Sequence, residues 1–287
     1  MDIKDLIIFK TLATELNITK TAKKLHYVQS NVTSRIKKLE SELGSDLIYR
    51  HARGVRLTPK GKIFLQYTDK ILHLMNEAKK TIRDSEVPLG PLNIGANETN
   101  ALVKLPHILA AYTNSFPKVD LSLHVGTTKD LIHLVLHHKL DGAFVVGPVN
   151  HPDLLEIAVF EDELVIIAHN KQPPIRSLKD MNKRTLLARP NCIHQKRLEQ
   201  WLQDEGIYPE KRMELSTLES IIGCVQAGLG AAILTRSLVE NDPKHHDLSC
   251  YKLPKNDSKV ITVFIRRKNV YESAALIKLI DLVNVIT

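Results

Sequence analysis

The sequence predicts an α/β protein with an N-terminal all-α winged helix-turn-helix, a long linker helix and a C-terminal module of two α/β subdomains. Three observations carry this. Residues 17–62 read as helix, tight turn, helix and basic hairpin. A single helical stretch from Thr58 to about Asp84 keeps one narrow apolar seam. From Leu92 onward, strand patterns alternate with helical ones, which argues for parallel α/β layers.

The first helix spans residues 3–16, with Leu6, Phe9, Ala13 and Leu16 facing inward. Asn17 is a good N-cap for the next helix, Ile18 to Leu25, because its side-chain oxygen can take a free backbone N–H. Ala22 leaves room for a second helix to approach, and His26-Tyr27 allows only a tight turn. The following helix, Val28 to Leu43, lines up Val32, Ile36, Leu39 and Leu43 on one stripe. Its other face shows Gln29, Ser30, Asn31, Thr33, Ser34, Arg35 and Lys38, groups that reach base edges or phosphates from a helix in the major groove. Leu47 to Thr58 resembles a two-stranded wing with Gly54 at its tip. Arg50, His51, Arg53 and Arg56 on that wing suit phosphates or a minor groove.

A basic helix pair is often no more than a solvated amphipathic surface. Charge distribution argues for more here. The chain of 287 residues has a net charge of +8, and residues 1–90 hold 17 basic and 10 acidic side chains, so +7 of the excess lies there. Between Lys20 and Lys62 there are 11 Lys or Arg against 3 Asp or Glu. Such a concentrated excess is an electrostatic footprint for double-stranded DNA. At 43% hydrophobic residues the rest of the chain can bury ordinary cores. The amino terminus lacks the pattern of a secretory signal, and no apolar run approaches a membrane span, so a cytoplasmic protein with no membrane partner is expected.

Thr58-Pro59 starts the linker helix, Thr as N-cap and Pro at the first helical position. Phe64, Tyr67, Ile71, Leu74, Ala78 and Ile82 recur at spacings of 3 and 4. A helix with so narrow a seam suits a two-helix dimer contact, or packing on its own C-terminal module. Val87-Pro88-Leu89-Gly90-Pro91 ends it as a hinge. The expected domains are therefore 1–58 for the winged helix-turn-helix, 59–87 for the linker and 88–287 for the C-terminal module.

In the C-terminal module, strands are expected at Leu92–Ala96, Val119–Val125, Asp141–Val146, Leu164–Ala168, Thr185–Ala188, Ala231–Leu234 and Val260–Ile265, and a segment Leu154–Phe160 leads into the second set. Helices are expected at Leu105–Tyr112, Lys129–His138, Ser177–Met181, Gln195–Glu205, Leu218–Ala227 and Glu272–Val285. A crossing near residues 147–163 divides the module into subdomain I, 88–161 with 267–287, and subdomain II, 162–266.

These residues also carry a family resemblance. Phe9, Ala13, Ala22, Leu25, Gln29, Val32, Ile36, Leu39-Glu40, Leu43-Gly44, Leu47, Arg50 and Leu57-Thr58-Pro59-x-Gly61 match in register the N-terminal domain of LysR-type transcriptional regulators. Leu105-Pro106, Leu140-Asp141-Gly142-Ala143 and Gln226-Ala227-Gly228-Leu229-Gly230 extend the similarity over the whole chain. Thr21, Val28 and Ile48-Tyr49 depart from the pattern. The loss of the usual Ser or Thr cap at Val28 should weaken that helix start by about 0.5–2 kcal/mol. The resemblance implies a C-terminal fold similar to type 2 periplasmic binding proteins and a small-molecule effector between the subdomains. It also implies assembly of the chain with itself as dimer or tetramer, with RNA polymerase as a further candidate partner.

In open α/β sheets ligands bind outside the carboxyl ends of strands, near helix N-termini. Four loops answer that description: Asn97, Thr99 and Asn100; Gly126, Thr127 and Thr128; Gly147-Pro148; and Asn191-Cys192 behind Arg189-Pro190. Their hydroxyls, amides and helix-start N–H groups suit a small anion, a carboxylate above all, although Thr and Asn also cap helices for structural reasons. Cys192 offers a second reading. It precedes a helix, with Arg189, Lys196 and Arg197 near in sequence, an environment that favours a thiolate and hence a thiol- or peroxide-responsive regulator. Cys224 and Cys250 are not obvious resolving partners, and the three cysteines form no CxxC pair.

His137-His138 and His245-His246 are adjacent pairs that point to different sides and do not chelate well, so no metal is expected. No catalytic set stands out, and Gly228-x-Gly230 is a helix-to-strand turn rather than a dinucleotide fingerprint. The expected protein is a ligand-controlled DNA-binding regulator without a cofactor and not an enzyme. A solute-binding protein without regulatory role is the alternative, and the basic N-terminal domain argues against it.

Overall fold

The computed structural model describes residues 1–51, 54–83, 87–240, 243–253, 258–268 and 270–286, without the side chains of 76, 77, 80, 81, 83, 243 and 286. The chain forms two units, Met1–Ser85 and Glu86–Thr287.

In the first unit, α1 (Ile3–Glu15) opens with a capping box in which the Asp5 N–H donates to Asp2 Oδ1 and the Asp2 N–H to Asp5 Oδ2, both at 2.9 Å. Leu6, Ile8, Phe9 and Leu12 are buried, but Leu16, expected inward, is exposed. The helix ends one residue earlier, and Leu16 caps it in the left-handed region at φ 49°, which breaks the helical period. Its carbonyl accepts the Val55 N–H at 3.0 Å, tying α1 to the wing.

Helix α2 (Ile18–Lys24) is capped as expected, the Lys20 N–H donating to Asn17 Oδ1 at 3.0 Å. Helix α3 (Gln29–Leu43) starts at Val28 with no side-chain cap. Val32, Ile36 and Leu39 enter a common core with Ile8, Phe9, Leu12, Ala22, Leu47, Ile48 and Val55. Leu43 is 39% exposed, whereas the neighbouring Glu40 is 7% exposed. Glu40 Oε1 accepts the N–H groups of Leu47 at 2.9 Å and Ile48 at 3.2 Å, and Oε2 accepts Arg50 Nη2 at 2.9 Å. A carboxylate therefore sits where a leucine stripe was expected to continue, because the chain re-entering from the turn needs an acceptor there.

The wing pairs β1 (Ile48–His51) with β2 (Gly54–Leu57) antiparallel, His51 opposite Gly54. Helix α4 (Pro59–Arg83) begins under Thr58, whose Oγ1 accepts the Gly61 N–H at 2.9 Å. Phe64 packs against Phe9 with ring centroids 5.2 Å apart, and Lys10 pairs with Asp69 at 2.7 Å. The rest of the seam, Tyr67, Ile71, Leu74 and Ile82, is exposed.

The second unit is built on a sheet in the order β4-β3-β5-β11-β6-β9-β7-β8, with β10 also on β6. The strands are β3 (Gly90–Ala96), β4 (Val119–Val125), β5 (Gly142–Val146), β6 (Leu154–His169), β7 (Thr185–Ala188), β8 (Lys211–Glu214), β9 (Ala231–Thr235), β10 (Leu248–Lys252) and β11 (Lys259–Arg267). The parallel layers expected are present, with antiparallel strands between them. β3 runs parallel to β4 and β5, and β7 parallel to β8 and β9, but β6 and β11 are antiparallel to their neighbours. The segment expected at 154–160 and the strand expected at 164–168 are one strand of 16 residues. Its first part pairs with β11 and its second with β9 and β10, with a register shift at Thr262/Val263. β11, expected mostly in the second subdomain, pairs through Thr262–Ile265 with β5 and so completes the first half of the sheet.

Helices α5 (Leu105–Ser115, after a π-helical turn Asn100–Lys104), α6 (Thr128–Leu136), α7 (Ile193–Asp204), α8 (Leu218–Gln226), α9 (Arg236–Glu240) and α10 (Ala274–Ile286) cover the sheet. The segment expected helical at Ser177–Met181 is a 3-10 turn, Leu178–Lys183. α10 returns to the first half as expected: Ala275, Leu276, Leu279 and Val283 share a core with Leu92, Ile94, Leu105, Ile108 and Tyr112. The Tyr112 hydroxyl donates to the Ala275 carbonyl at 2.7 Å, and burial pushes its pKa up to about 12.

Candidate nucleic-acid interface and ligand-binding loops

On α3, Gln29, Ser30, Asn31, Ser34 and Lys38 are exposed side by side, and Thr33 and Arg35 are half-buried at the edge of that face. Two of these groups are held in place. Thr19 Oγ1, on α2, donates to Gln29 Oε1 at 3.2 Å, so the Gln29 amide is aimed by the preceding helix. Thr19 escaped the sequence reading because nothing in its spacing marks it as a partner of Gln29. Arg35 Nη1 donates to Asp5 Oδ1 at 2.7 Å and to Asp2 Oδ2 at 3.2 Å, and its hydrogen bond to Asp5 raises the guanidinium pKa. The Asp2 carboxyl lies below the usual range, through the Asp5 N–H first and then Arg35.

Arg35 therefore braces α3 against the start of α1. Asp5 is only 1% exposed, so Arg35→Ala leaves a carboxylate without its cation. The first unit should lose stability, by an amount that solvent screening of the guanidinium reduces. Chemical denaturation of the variant measures it, and an unchanged unfolding midpoint would show that the brace contributes nothing.

Arg50 and Arg56 are exposed on the wing, Arg50 also bonded to Glu40 as described. Arg53 lies outside the described residues. The wing and α3 thus present cations beside amide and hydroxyl groups, the combination that positions on phosphates and reads base edges.

In the second unit the sheet order places the carboxyl ends of β4, β3 and β5 side by side. Three of the four expected loops meet there. Asn97 Oδ1 accepts the Asn100 N–H at 2.9 Å. Asn100 is buried, its Nδ2 donating to Thr262 Oγ1 at 3.1 Å, so its side chain pins the loop to β11. Thr99, half-buried, makes no side-chain cap. The Gly126 N–H donates to the Ala96 carbonyl at 3.1 Å. Thr127 caps α6 by accepting the Asp130 N–H at 3.2 Å, and Thr128 Oγ1 accepts the Val146 N–H at 3.4 Å. Gly147, joined to Pro148 by a cis peptide, donates its N–H to the Ile261 carbonyl at 2.9 Å.

The fourth loop leaves the carboxyl end of β7. Asn191 adopts φ 59°, and Cys192 caps α7 without a side-chain hydrogen bond. The first turn of α7 therefore keeps N–H groups that no side chain has claimed. Glu98, in the β3 loop, forms an ion pair with Arg189 at the end of β7, which brings the two sets of loops together. All three cysteines are free, and Cys224 and Cys250 pack against the apolar cluster under α8 rather than beside α7. Among the described residues no group of three or more His, Cys, Asp or Glu could hold a metal ion.

His194, in the first turn of α7, has its pKa pushed down to about 4, by burial first and then by Arg197, against a raising influence from Asp162. It is therefore neutral at pH 7 in the folded chain. The folded pKa lies below the ordinary value, so the unfolded chain takes up a proton first as pH falls from about 6.5. Stability should be full above pH ~6.5 and decline toward pH ~4, with a limiting slope of about 1.4 kcal/mol per pH unit from this group. His194→Gln should flatten the pH dependence of the urea midpoint in that window, and an identical slope in the variant would exclude His194 as its source.

A basic helix-turn-helix head on one unit and a two-lobed α/β module with facing strand-end loops on the other define a ligand-responsive transcription regulator. The comparisons with known proteins agree. The model of bacterial regulatory helix-turn-helix proteins of the lysR family matches residues 3–62, and that of the LysR substrate binding domain matches residues 85–284. The chain belongs to the LysR family of transcription regulators. It is 44% identical to the HTH-type transcriptional regulator GltR of Bacillus subtilis (strain 168), over 96% of this chain and 94% of that protein. Full-length OxyR from Pseudomonas aeruginosa shares the fold at TM-score 0.74 and 21% identity, covering 99% of this chain and 93% of that one. CbnR in complex with its target DNA shares it at TM-score 0.72 and 21% identity, with both chains fully covered. No helix among the described residues is long and apolar enough to cross a membrane.

Proposed function

We propose that this regulator reads its operator through Gln29, Ser30, Asn31, Thr33, Ser34 and Lys38 of α3, with Arg50, Arg53 and Arg56 on backbone phosphates. A small anionic metabolite, held by the loops at the ends of β3, β4, β5 and β7, controls it. The observation that carries this is the meeting of two loop sets from opposite halves of one sheet, marked by the Glu98–Arg189 pair. A ligand there touches both halves and can bias how they sit, because a ligand shifts an equilibrium only by its differential affinity for the two states. The capture of DNA by CbnR supports the first part of the reading. The exposed seam of Tyr67, Ile71, Leu74 and Ile82 supports pairing of two chains through α4, which would place two recognition helices on two half-sites. Further contacts between C-terminal modules would build a tetramer in the cytoplasm. Homology to transcription regulators along nearly the whole chain favours a role without catalysis.

Gln29→Ala should weaken operator binding by about 1–3 kcal/mol while leaving non-specific binding unchanged. Gel shifts with the protein's own promoter DNA and a scrambled duplex test it, and equal loss on both would remove Gln29 from base reading. Thr128→Ala or Thr99→Ala should abolish an effector-dependent change in footprint while preserving the effector-free footprint. Retention of that change in both variants would place the effector elsewhere.

A further inference from the structure

We propose that Arg189 is the anchor for an effector carboxylate, and that Glu98 is the chain's own carboxylate occupying it until the effector arrives. This rests on the reading of the strand-end loops as the effector site. Glu98 and Arg189 are 91 positions apart in sequence, come from opposite halves of the sheet and meet as an ion pair. Neither side chain is sealed in: Arg189 is 28% and Glu98 21% exposed, so a solute can reach both.

The loop carrying Glu98 is built as a fixed platform. The Asn100 N–H is held by Asn97 Oδ1, the Asn100 side chain is fixed on Thr262, and the Ala101 N–H donates to the Asn97 carbonyl at 3.0 Å. Only the Glu98 side chain needs to swing for its carboxylate to leave. On the other side, Arg189 stands four residues before the first residue of α7, whose start lacks a side-chain cap. A guanidinium fork next to free helix-start N–H groups is a carboxylate receptor by chemistry alone. An incoming carboxylate keeps the fork satisfied and gains those N–H groups, which the tethered Glu98 has not engaged.

The exchange also changes how the halves are linked. With Glu98 in place, the ion pair joins the β3 loop to the end of β7. With an external carboxylate on Arg189, that covalently backed link is gone, and the remaining ties are the sheet itself and the ligand. The ligand class is therefore a small mono- or dicarboxylate, which replaces the Glu98 carboxylate on Arg189 like for like.

Thermal denaturation of the full chain tests this with sodium succinate as probe, against sodium chloride at equal ionic strength. Glu98→Gln vacates the anchor and should gain a succinate-dependent rise of about 3–5 °C at roughly tenfold excess over the dissociation constant. The double variant Glu98→Gln/Arg189→Gln should lose that rise. Glu98→Ala repeats the test without an amide that could remain bonded to Arg189. Absence of a rise in both single variants overturns the proposal. An equal rise in the single and double variants also overturns it and locates the anion elsewhere. A footprint on promoter DNA separates the two readings: if Glu98→Gln gains the succinate response but its footprint never responds, the anchor stands and control of DNA binding from this site falls.

Discussion

Glu40→Ala should lower the stability of the DNA-binding unit by about 3–5 kcal/mol, one of the two largest effects expected in the molecule. The side chain is almost wholly buried and serves two backbone N–H groups and one guanidinium. Its loss leaves the Leu47 and Ile48 donors buried without acceptors, each worth about 1–3 kcal/mol, and frees Arg50 as an unpaired cation. In a unit of this size the melting transition should drop by about 12–40 °C. Glu40→Gln is the informative control. Its amide oxygen can still accept the two N–H groups, so it should recover most of the loss. Circular dichroism melts of both variants decide this, and a Glu40→Gln melt as low as that of the alanine variant would mean that the charge, not the acceptor, matters.

The second large effect falls on the other unit. Phe264→Ala should cost about 3–5 kcal/mol. Phe264 is 1% exposed and faces Phe144 across β5 with ring centroids 4.8 Å apart, while Ile157 lies opposite on β6. Gly142 is the reason the ring fits, since a Cβ there would lie 2.2 Å from Phe264 Cζ. For roughly 200 residues the corresponding fall in melting temperature is about 6–20 °C. Because the ring lies inside one unit, the melting of the first unit should stay where it is. A single merged shift of both transitions would show that the two units unfold together.

Features set by local chemistry were legible in the sequence. Asn17 and Thr58 announce their helices because a cap is decided within three residues. The strand-end loops followed from where helices begin after strands. Legibility failed where a partner comes from far along the chain. Glu40 reads as an ordinary surface charge, because its acceptor role depends on how residues 47 and 48 return. Arg35 looks like a groove-facing cation until Asp2 and Asp5 are brought beneath it. Glu161-Asp162-Glu163 interrupts an apolar pattern and so reads as the start of a new strand at Leu164, yet the backbone runs straight through as β6 changes partners. β8 was not anticipated because all four of its residues are exposed at the sheet's edge and carry no alternation. Glu98 and Arg189 were invisible as a pair for the same reason as Arg35.

The return of α10 to the core begun by β3 and α5 bears on how the chain is made. On a ribosome, residues 1–85 hold nearly all they need for their own core once they have emerged, and they fold early. The first lobe of the second unit does not have that option. Leu92, Ile94 and Tyr112 are synthesised long before Phe264, Leu276 and Leu279, the residues that enclose them. Throughout that interval an apolar surface waits on the nascent chain, the situation in which chaperones bind. The intervening lobe, with β7, β8 and β9 all emerging first, can organise while the earlier one is still open. Emergence of the residues from 259 onward then closes the first lobe, and arrested chains ending before residue 259 should be captured by chaperones and cut by proteases within residues 90–146.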